Sequence, residues 1–214
     1  MVLLSPSIRA LQRLISMCQD YADTHGLKYN VKKSELMVFK PKSKTYTKLP
    51  EVSLCGTPLL RVSKFKYLGH WVTEDLSDNC DIERERRSLA VRCNMLVRRF
   101  ARCTHAVKVT LFKAYCQSFY TCSLWSSYTR RAYSDLRVQY NNAFRMLMGL
   151  PRHCSASGMF AEAQVDGFAA IMRKRVASLL SRWRGSTNSI MVALSDRWDS
   201  PLLQHWTKLH VVEK

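Results

Sequence analysis

Apolar residues recur at helical spacing near the start of the chain. Ile8, Leu11, Leu14, Ile15, Cys18 and Tyr21 fall on one face. Ser5-Pro6 reads as the start of this helix, with Ser as the cap and Pro in the first turn, where its missing N–H costs nothing. His25-Gly26 reads as its end. Leu27–Val31 follows, and Glu35–Lys40, with Leu36 and Val38 at alternate positions, predicts a strand. Glu51–Cys55 and Pro58–Val62 flank Gly56-Thr57, a short hairpin signal, and Phe65–Val72 predicts a further strand. Pro41–Pro50 reads as a basic loop. From about Ser77 the period becomes helical with no further strand run. Apolar stripes run through 82–103, 106–119, 133–149, 168–184 and 188–206. Breaks lie near His105, Thr129, Pro151, Gly167, Gly185 and Pro201. The expected fold class is α+β, mostly α, with a small β-rich N-terminal portion followed by a helical bundle. No internal repeat or low-complexity tract is present.

Charge changes this picture more than any other bulk property. The chain has 214 residues, 34 Lys+Arg and 16 Asp+Glu, a formal net charge of +18. Like charges repel across a fold, so such an excess points to a polyanionic partner, with nucleic acid ahead of a membrane surface or an acidic protein. The excess is uneven. Residues 1–85 carry 13 basic and 10 acidic groups, and residues 86–214 carry 21 and 6, a net of +15. The binding surface is therefore expected in the second part. Eight scattered cysteines, none in a CxxC pair, read as reduced core residues of an intracellular protein, nuclear or cytoplasmic. His105 beside Cys103 and His153 beside Cys154 lack the paired spacing of a zinc site, so no metal site is expected. No run of 18 apolar residues and no signal-peptide pattern occurs, and no membrane partner is expected.

Three segments carry a family resemblance. Gly26-Leu27-Lys28-Tyr29-Asn30-Val31-Lys32-Lys33-Ser34 matches a "G-hydrophobic-x-x-N-x-x-K-S/T" segment. Phe65-Lys66-Tyr67-Leu68-Gly69-His70 matches an "F-K-Y-L-G" hairpin. Tyr140-Asn141-Asn142-Ala143-Phe144-Arg145, with Leu150-Pro151-Arg152 and Ser155, matches a downstream "N-x-x-F-R…L-P" region. In this order and spacing the chain resembles the C-terminal part of the reverse transcriptases of non-LTR retrotransposons. The resemblance implies three regions: a palm remnant with a primer-grip-like hairpin over 1–75, a thumb-like helical region over 76–150, and a downstream helical extension over 151–214.

The departure from the family pattern governs the functional expectation. In intact members a Tyr-Ala-Asp-Asp hairpin precedes a segment like Met1–Ser5, and its carboxylates hold the Mg2+ of the polymerase. Two-metal phosphoryl transfer needs those carboxylates, and this sequence contains no adjacent Asp-Asp. Asp20-Tyr21-Ala22-Asp23 ends an amphipathic helix and is not a strand turn. Residues 1–214 are thus expected to bind primer–template nucleic acid, an RNA–DNA or DNA duplex, without polymerising it, with no cofactor and no small-molecule substrate. Two alternatives stand beside this reading: an intact reverse transcriptase if upstream residues supply the aspartates, and a domesticated helical interaction module.

Within this frame, Tyr67, Leu68 and Gly69 are the candidate grip, with Gly permitting close backbone approach to a strand. The plainer reading is that Phe65, Tyr67 and Trp71 alternate into a core. Lys33 matches the family's motif lysine, which the resemblance places near the incoming triphosphate, a role idle without the metal site. Glu74, Asp75, Asp78, Asp81, Glu83 and Glu85 read as a capped, solvated turn entering a helix. In that helix Leu89, Cys93, Leu96, Phe100 and Cys103 form an apolar stripe. Arg84, Arg87, Arg98 and Arg102 are expected opposite it, as a ridge against phosphates or as a solvated face. Arg137, Asn141 and Arg145 form a second polar line, and Arg173-Lys174-Arg175 a basic knot. Leu136, Tyr140, Phe144 and Leu147 are expected in the core.

Overall fold

The computed structural model describes residues 1–40, 49–195, 197 and 199–211. The basic loop expected at Pro41–Pro50 lies outside these, apart from Leu49 and Pro50. The fold is mostly helical with only small two-stranded sheets, as the hydrophobic periods indicate. The chain divides into two compact units. One comprises residues 1–66 and 72–76, the other residues 67–71 and 77–214.

In the first unit, α1 (Ile8–Thr24) lays Ile8, Leu11 and Ile15 against Val52, Leu54, Leu36 and Leu59. Its cap is Ser7, whose hydroxyl accepts the Ala10 N–H at 3.2 Å, in place of the expected Ser5. Gln12 ties the helix to the sheet, donating to the Ser53 carbonyl and accepting the Ser53 N–H, both at 3.0 Å. The strand expected over Glu35–Lys40 shrinks to β1 (Glu35–Leu36), which pairs in parallel with β4 (Leu60–Arg61). Between them, β2 (Ser53–Leu54) and β3 (Thr57–Pro58) form a tight antiparallel hairpin. Its turn is Cys55-Gly56, both at positive φ, one residue earlier than the Gly56-Thr57 expected. Lys40 and Glu74 close the unit with an ion pair of 2.8 Å.

The chain passes between the units through β5 (Lys64–Tyr67) and β6 (His70–Thr73). In the second unit, α2 (Asn79–Arg99) packs on α3 (His105–Cys116) and α4 (Arg130–Met148). The side chains of Leu89, Cys93, Leu96, Phe112, Leu136, Tyr140, Phe144 and Leu147 form one buried cluster, so the expected stripes on α2 and α4 both meet the core. Thr129 caps α4, and Gly149 ends it at φ 69°, where a Cβ is disfavoured. The short α5 (Ala156–Glu162), absent from the sequence reading, contributes Met159 and Phe160. Then α6 (Phe168–Arg184), α7 (Ser189–Ser195) and α8 (Pro201–Val211) follow. Val176, Leu203 and Trp206 make a smaller cluster there. Tyr140 brings a hydroxyl into the main core. Its hydroxyl donates to the Asp166 carbonyl at 2.7 Å and accepts from Gln117 at 3.0 Å, so it is buried without an orphaned group.

Leu96 is fully buried where α2 meets its neighbours. Leu96→Ala is expected to cost about 2–5 kcal/mol, because the cavity lies between packed helices that cannot collapse. Urea unfolding should show a lower midpoint at unchanged slope; an unchanged midpoint would contradict this packing.

Candidate nucleic-acid interface

The Phe-Lys-Tyr-Leu-Gly segment is a hairpin, as the resemblance implies, whereas hydrophobic alternation alone predicts one strand through Phe65–Val72. The chain reverses at Leu68 (φ 46°) and Gly69 (φ 87°). A two-residue reversal with both φ positive matches the twist of a hairpin and normally selects Asn-Gly. Leucine in the left-handed region costs about 1–2 kcal/mol, so contacts outside the turn must hold it. Tyr120 supplies them. Its hydroxyl donates to the Leu68 carbonyl at 2.9 Å, and its ring covers Gly69 so closely that a Cβ there would lie 2.8 Å from Cε1. The close approach that Gly69 permits is therefore made by Tyr120, where the sequence reading assigned it to a sugar-phosphate strand. Tyr67 and Leu68 remain 46% and 74% exposed at the tip.

The base of β6 is fixed by a buried carboxylate. Asp81 Oδ1 accepts the Trp71 N–H at 3.1 Å and Arg84 Nε at 2.7 Å. Asp81 Oδ2 accepts Trp125 Nε1 at 2.8 Å and the Thr121 hydroxyl at 3.0 Å. His70 Nδ1 lies 3.1 Å from the same oxygen. Burial alone would raise the Asp81 pKa, but the bonds from His70, Arg84, Trp125 and the Trp71 amide outweigh it and hold the carboxyl well below the usual carboxylate range. Asp78 accepts the Ser126 and Ser127 N–H groups at 2.7 and 2.8 Å. Burial nevertheless pushes its pKa up, because two amides offset only part of the desolvation. Glu85 is paired with Arg84 at 3.0 Å and with Arg92.

The solvated acidic turn of the sequence reading is thus corrected. Asp81 and Glu85 are fully buried and Asp78 nearly so. Asp78 does not cap α2 with its side chain; it anchors the 126–127 segment instead. The signal was present in the spacing, because Asp81, Glu85, Leu89, Cys93 and Leu96 form one continuous stripe.

The arginine ridge is also corrected. Arg84 is half-buried and bound to Asp81 and Glu85, so it does not face outward. Arg87 is exposed, but it and Arg86 both bind Glu83, at 2.8 and 2.7 Å. The Arg86 bond, ahead of that from Arg87, holds the Glu83 carboxyl down at about 2. Arg98 is exposed near the end of α2, and Arg102 is exposed in the turn beyond it. Arg145 leaves the second polar line by donating to the Cys154 carbonyl at 2.8 and 3.2 Å. Lys174 pairs with Asp166.

Lys33 is exposed in the 3-10 turn Val31–Lys33 of the first unit. The Asn30 side chain accepts the Lys33 N–H at 3.2 Å and the Ser34 hydroxyl donates to the Asn30 carbonyl at 3.0 Å. The Asn-x-x-Lys-Ser spacing is therefore self-capping. Asp20 and Asp23 are exposed at the end of α1, with Ala22 buried between them. Cys93, Cys116 and Cys122 are buried, and burial pushes their thiols up to about 11, 12 and 12. Cys55 is exposed.

Among the described residues, the buried carboxylates at the head of α2 do not fit a Mg2+ ion. Those of Asp81 and Glu85 are engaged by guanidinium, indole, amide and hydroxyl donors, and a cation would have to displace them. Among the described residues, no helix is long and apolar enough to cross a membrane. No protein-family model matches the chain, and comparison with curated proteins and with solved structures gives no match.

Two outcomes test this geometry. Asp81→Asn is expected to destabilise the protein at about pH 7 by about 3–5 kcal/mol, since it breaks a buried charge network. The depressed Asp81 pKa contributes stability that is fully present above the ordinary carboxylate pKa of about 4 and is lost as pH falls towards the folded value. The gap between variant and parent should therefore narrow in urea titrations as the pH drops below about 4; a gap independent of pH would exclude the assigned role. Separately, Leu68→Asn should raise the melting temperature by relieving left-handed strain, whereas Gly69→Ala should lower it. Thermal melts of both variants check the pair.

Proposed function

We propose that this chain is a nucleic-acid-binding part of a reverse transcriptase of the non-LTR retrotransposon type, with residues 1–214 binding primer–template duplex without catalysing polymerisation. One observation carries the reading. The Tyr67-Leu68-Gly69 turn, in the segment that resembles the primer grip, is seated through His70 and Trp71 on Asp81 at the head of α2. An exposed aromatic and apolar tip is thereby joined rigidly to a strongly basic helical unit. A duplex recognised through its backbone asks for such an arrangement, in which cations meet phosphates and a fixed tip sets register.

The resemblance in three ordered segments supports the family, and the +15 charge of residues 86–214 supports a polyanion. Tyr67, Leu68 and Gly69 form the tip in this reading. Arg98 and Arg102 are the members of the expected ridge open to phosphate, whereas Arg84 serves the internal network and Arg87 is shared with Glu83. Mg2+ chemistry would need carboxylates from outside residues 1–214.

Purified protein should bind an RNA–DNA hybrid with an affinity that falls steeply as salt rises, a log–log slope of several units reporting several phosphate contacts. The same preparation should incorporate no nucleotide on a primed template. Salt-independent binding, or no binding at low salt, would favour a helical module for a protein partner. Template-dependent incorporation would restore the enzyme reading.

A further inference from the structure

We infer that contact with nucleic-acid phosphates on α2 is confined to its C-terminal end, where Arg98, Arg99 and Arg102 form a cluster that the fold leaves uncompensated. This rests on the nucleic-acid reading above and assigns its surface. The argument is one of charge distribution. The N-terminal half of α2 carries Asp81, Glu83 and Glu85 with Arg84, Arg86, Arg87 and Arg92, and each of these four arginines has a carboxylate partner. That half is nearly neutral by construction. Arg98, Arg99 and Arg102 are all exposed, and none makes an ion pair among the described residues.

Two internal sources of compensation fail on magnitude. The helix C-terminus presents about −0.5 of a charge, which leaves most of three guanidinium charges unbalanced. The carboxylates of the N-terminal half are too distant. Glu85 and Arg98 are thirteen residues apart, about 20 Å at helical rise, while screening in physiological salt acts over about 8 Å. No nearby sequence supplies a counter-charge either, because no acidic residue occurs between Glu85 and Asp135. Three such charges close together repel one another, and an external polyanion relieves that repulsion.

The neighbouring surface favours nucleic acid over a membrane. An interfacial basic helix needs large apolar side chains beside its cations. Beside the cluster Phe100 packs inward on the core, Asn94, Ala101 and Thr104 are small or polar, and the exposed apolar side chains nearby are the single valines Val91 and Val107, which do not make the large apolar face such a helix needs. Planar guanidiniums also match phosphodiester oxygens bidentately and carry no base information.

The test compares two variants of the full chain on one labelled RNA–DNA hybrid. Arg98→Gln/Arg99→Gln/Arg102→Gln should weaken binding about tenfold or more and lower the log–log salt slope by roughly two to three units. Arg87→Gln, also exposed but already shared with Glu83, should change neither by more than about twofold. Circular dichroism and a thermal melt confirm that both variants fold. Unchanged binding by the folded triple variant overturns the inference and leaves the nucleic-acid reading standing, as does an equal loss from Arg87→Gln. Failure of the parent protein to bind the hybrid overturns both. Parent binding to phosphatidylserine vesicles that the triple variant loses, with hybrid binding retained, assigns the cluster to a membrane surface and overturns the inference.

Discussion

A single buried carboxylate organises the junction at the head of α2. Asp81 has no exposed surface, and an isolated anion in that position would be prohibitive. It is tolerated because donors converge on it from the hairpin amide of Trp71, the Trp125 indole, the Thr121 hydroxyl and the Arg84 guanidinium. These donors are up to 44 residues away in sequence. Satisfying one charge therefore fixes the hairpin, the 120–127 segment and α2 relative to one another within the helical unit. Removing a partner strands the charge, whereas replacing the whole set by apolar groups need not weaken the fold. The network accordingly specifies an arrangement more than it supplies net stability. One residue of cost remains visible, since Arg92 Nε is buried without a partner.

The same network shapes the outer surface. Asp81 and Glu85 neutralise Arg84 and Arg92, and Glu83 is occupied by Arg86 and Arg87. The surface field is therefore more positive towards the far end of α2 than towards its head, although both ends are arginine-rich in sequence. A count of arginines overstates the first half of the helix and understates the second.

The helices were legible because burial on one face imposes a 3.6-residue period, and the breaks expected near His105, Thr129, Gly167, Gly185 and Pro201 lie at helix boundaries. The core residues of α2 and α4 followed from the same stripe. Two-residue strands carry no usable period, so β1 through β4 were placed only roughly. The hairpin that the resemblance implies at Leu68-Gly69 was not legible in the hydrophobic alternation, because its turn lacks Asn-Gly and is held by Tyr120, about 50 residues downstream. The acidic cluster was misread because carboxylates at the start of a helix are ordinarily solvated there. The stripe on which Asp81 and Glu85 lie in phase with Leu89 carried the contrary signal. Partnering, unlike spacing, cannot be read along the chain, so Arg84 and Arg98 look alike in sequence and differ in the fold.

Strain is concentrated at this junction as well. Leu68 and Thr121 both hold positive φ, at 46° and 63°, and for a β-branched residue such as Thr121 this is a true outlier. Each such conformation costs about 1–3 kcal/mol and persists only where the surroundings over-determine it. The adjacent pair Tyr120-Thr121 does so from both sides. Tyr120 holds the Leu68 carbonyl while Thr121 binds Asp81. Rotation of either residue into an ordinary region would break a bond to the hairpin or to the buried anion. The exposed tip at Tyr67 and Leu68 is therefore coupled to the interior by two positive-φ residues, Leu68 and Thr121. In the proposed function, a tip so held would meet a duplex in one orientation, with little of the binding free energy spent on ordering it.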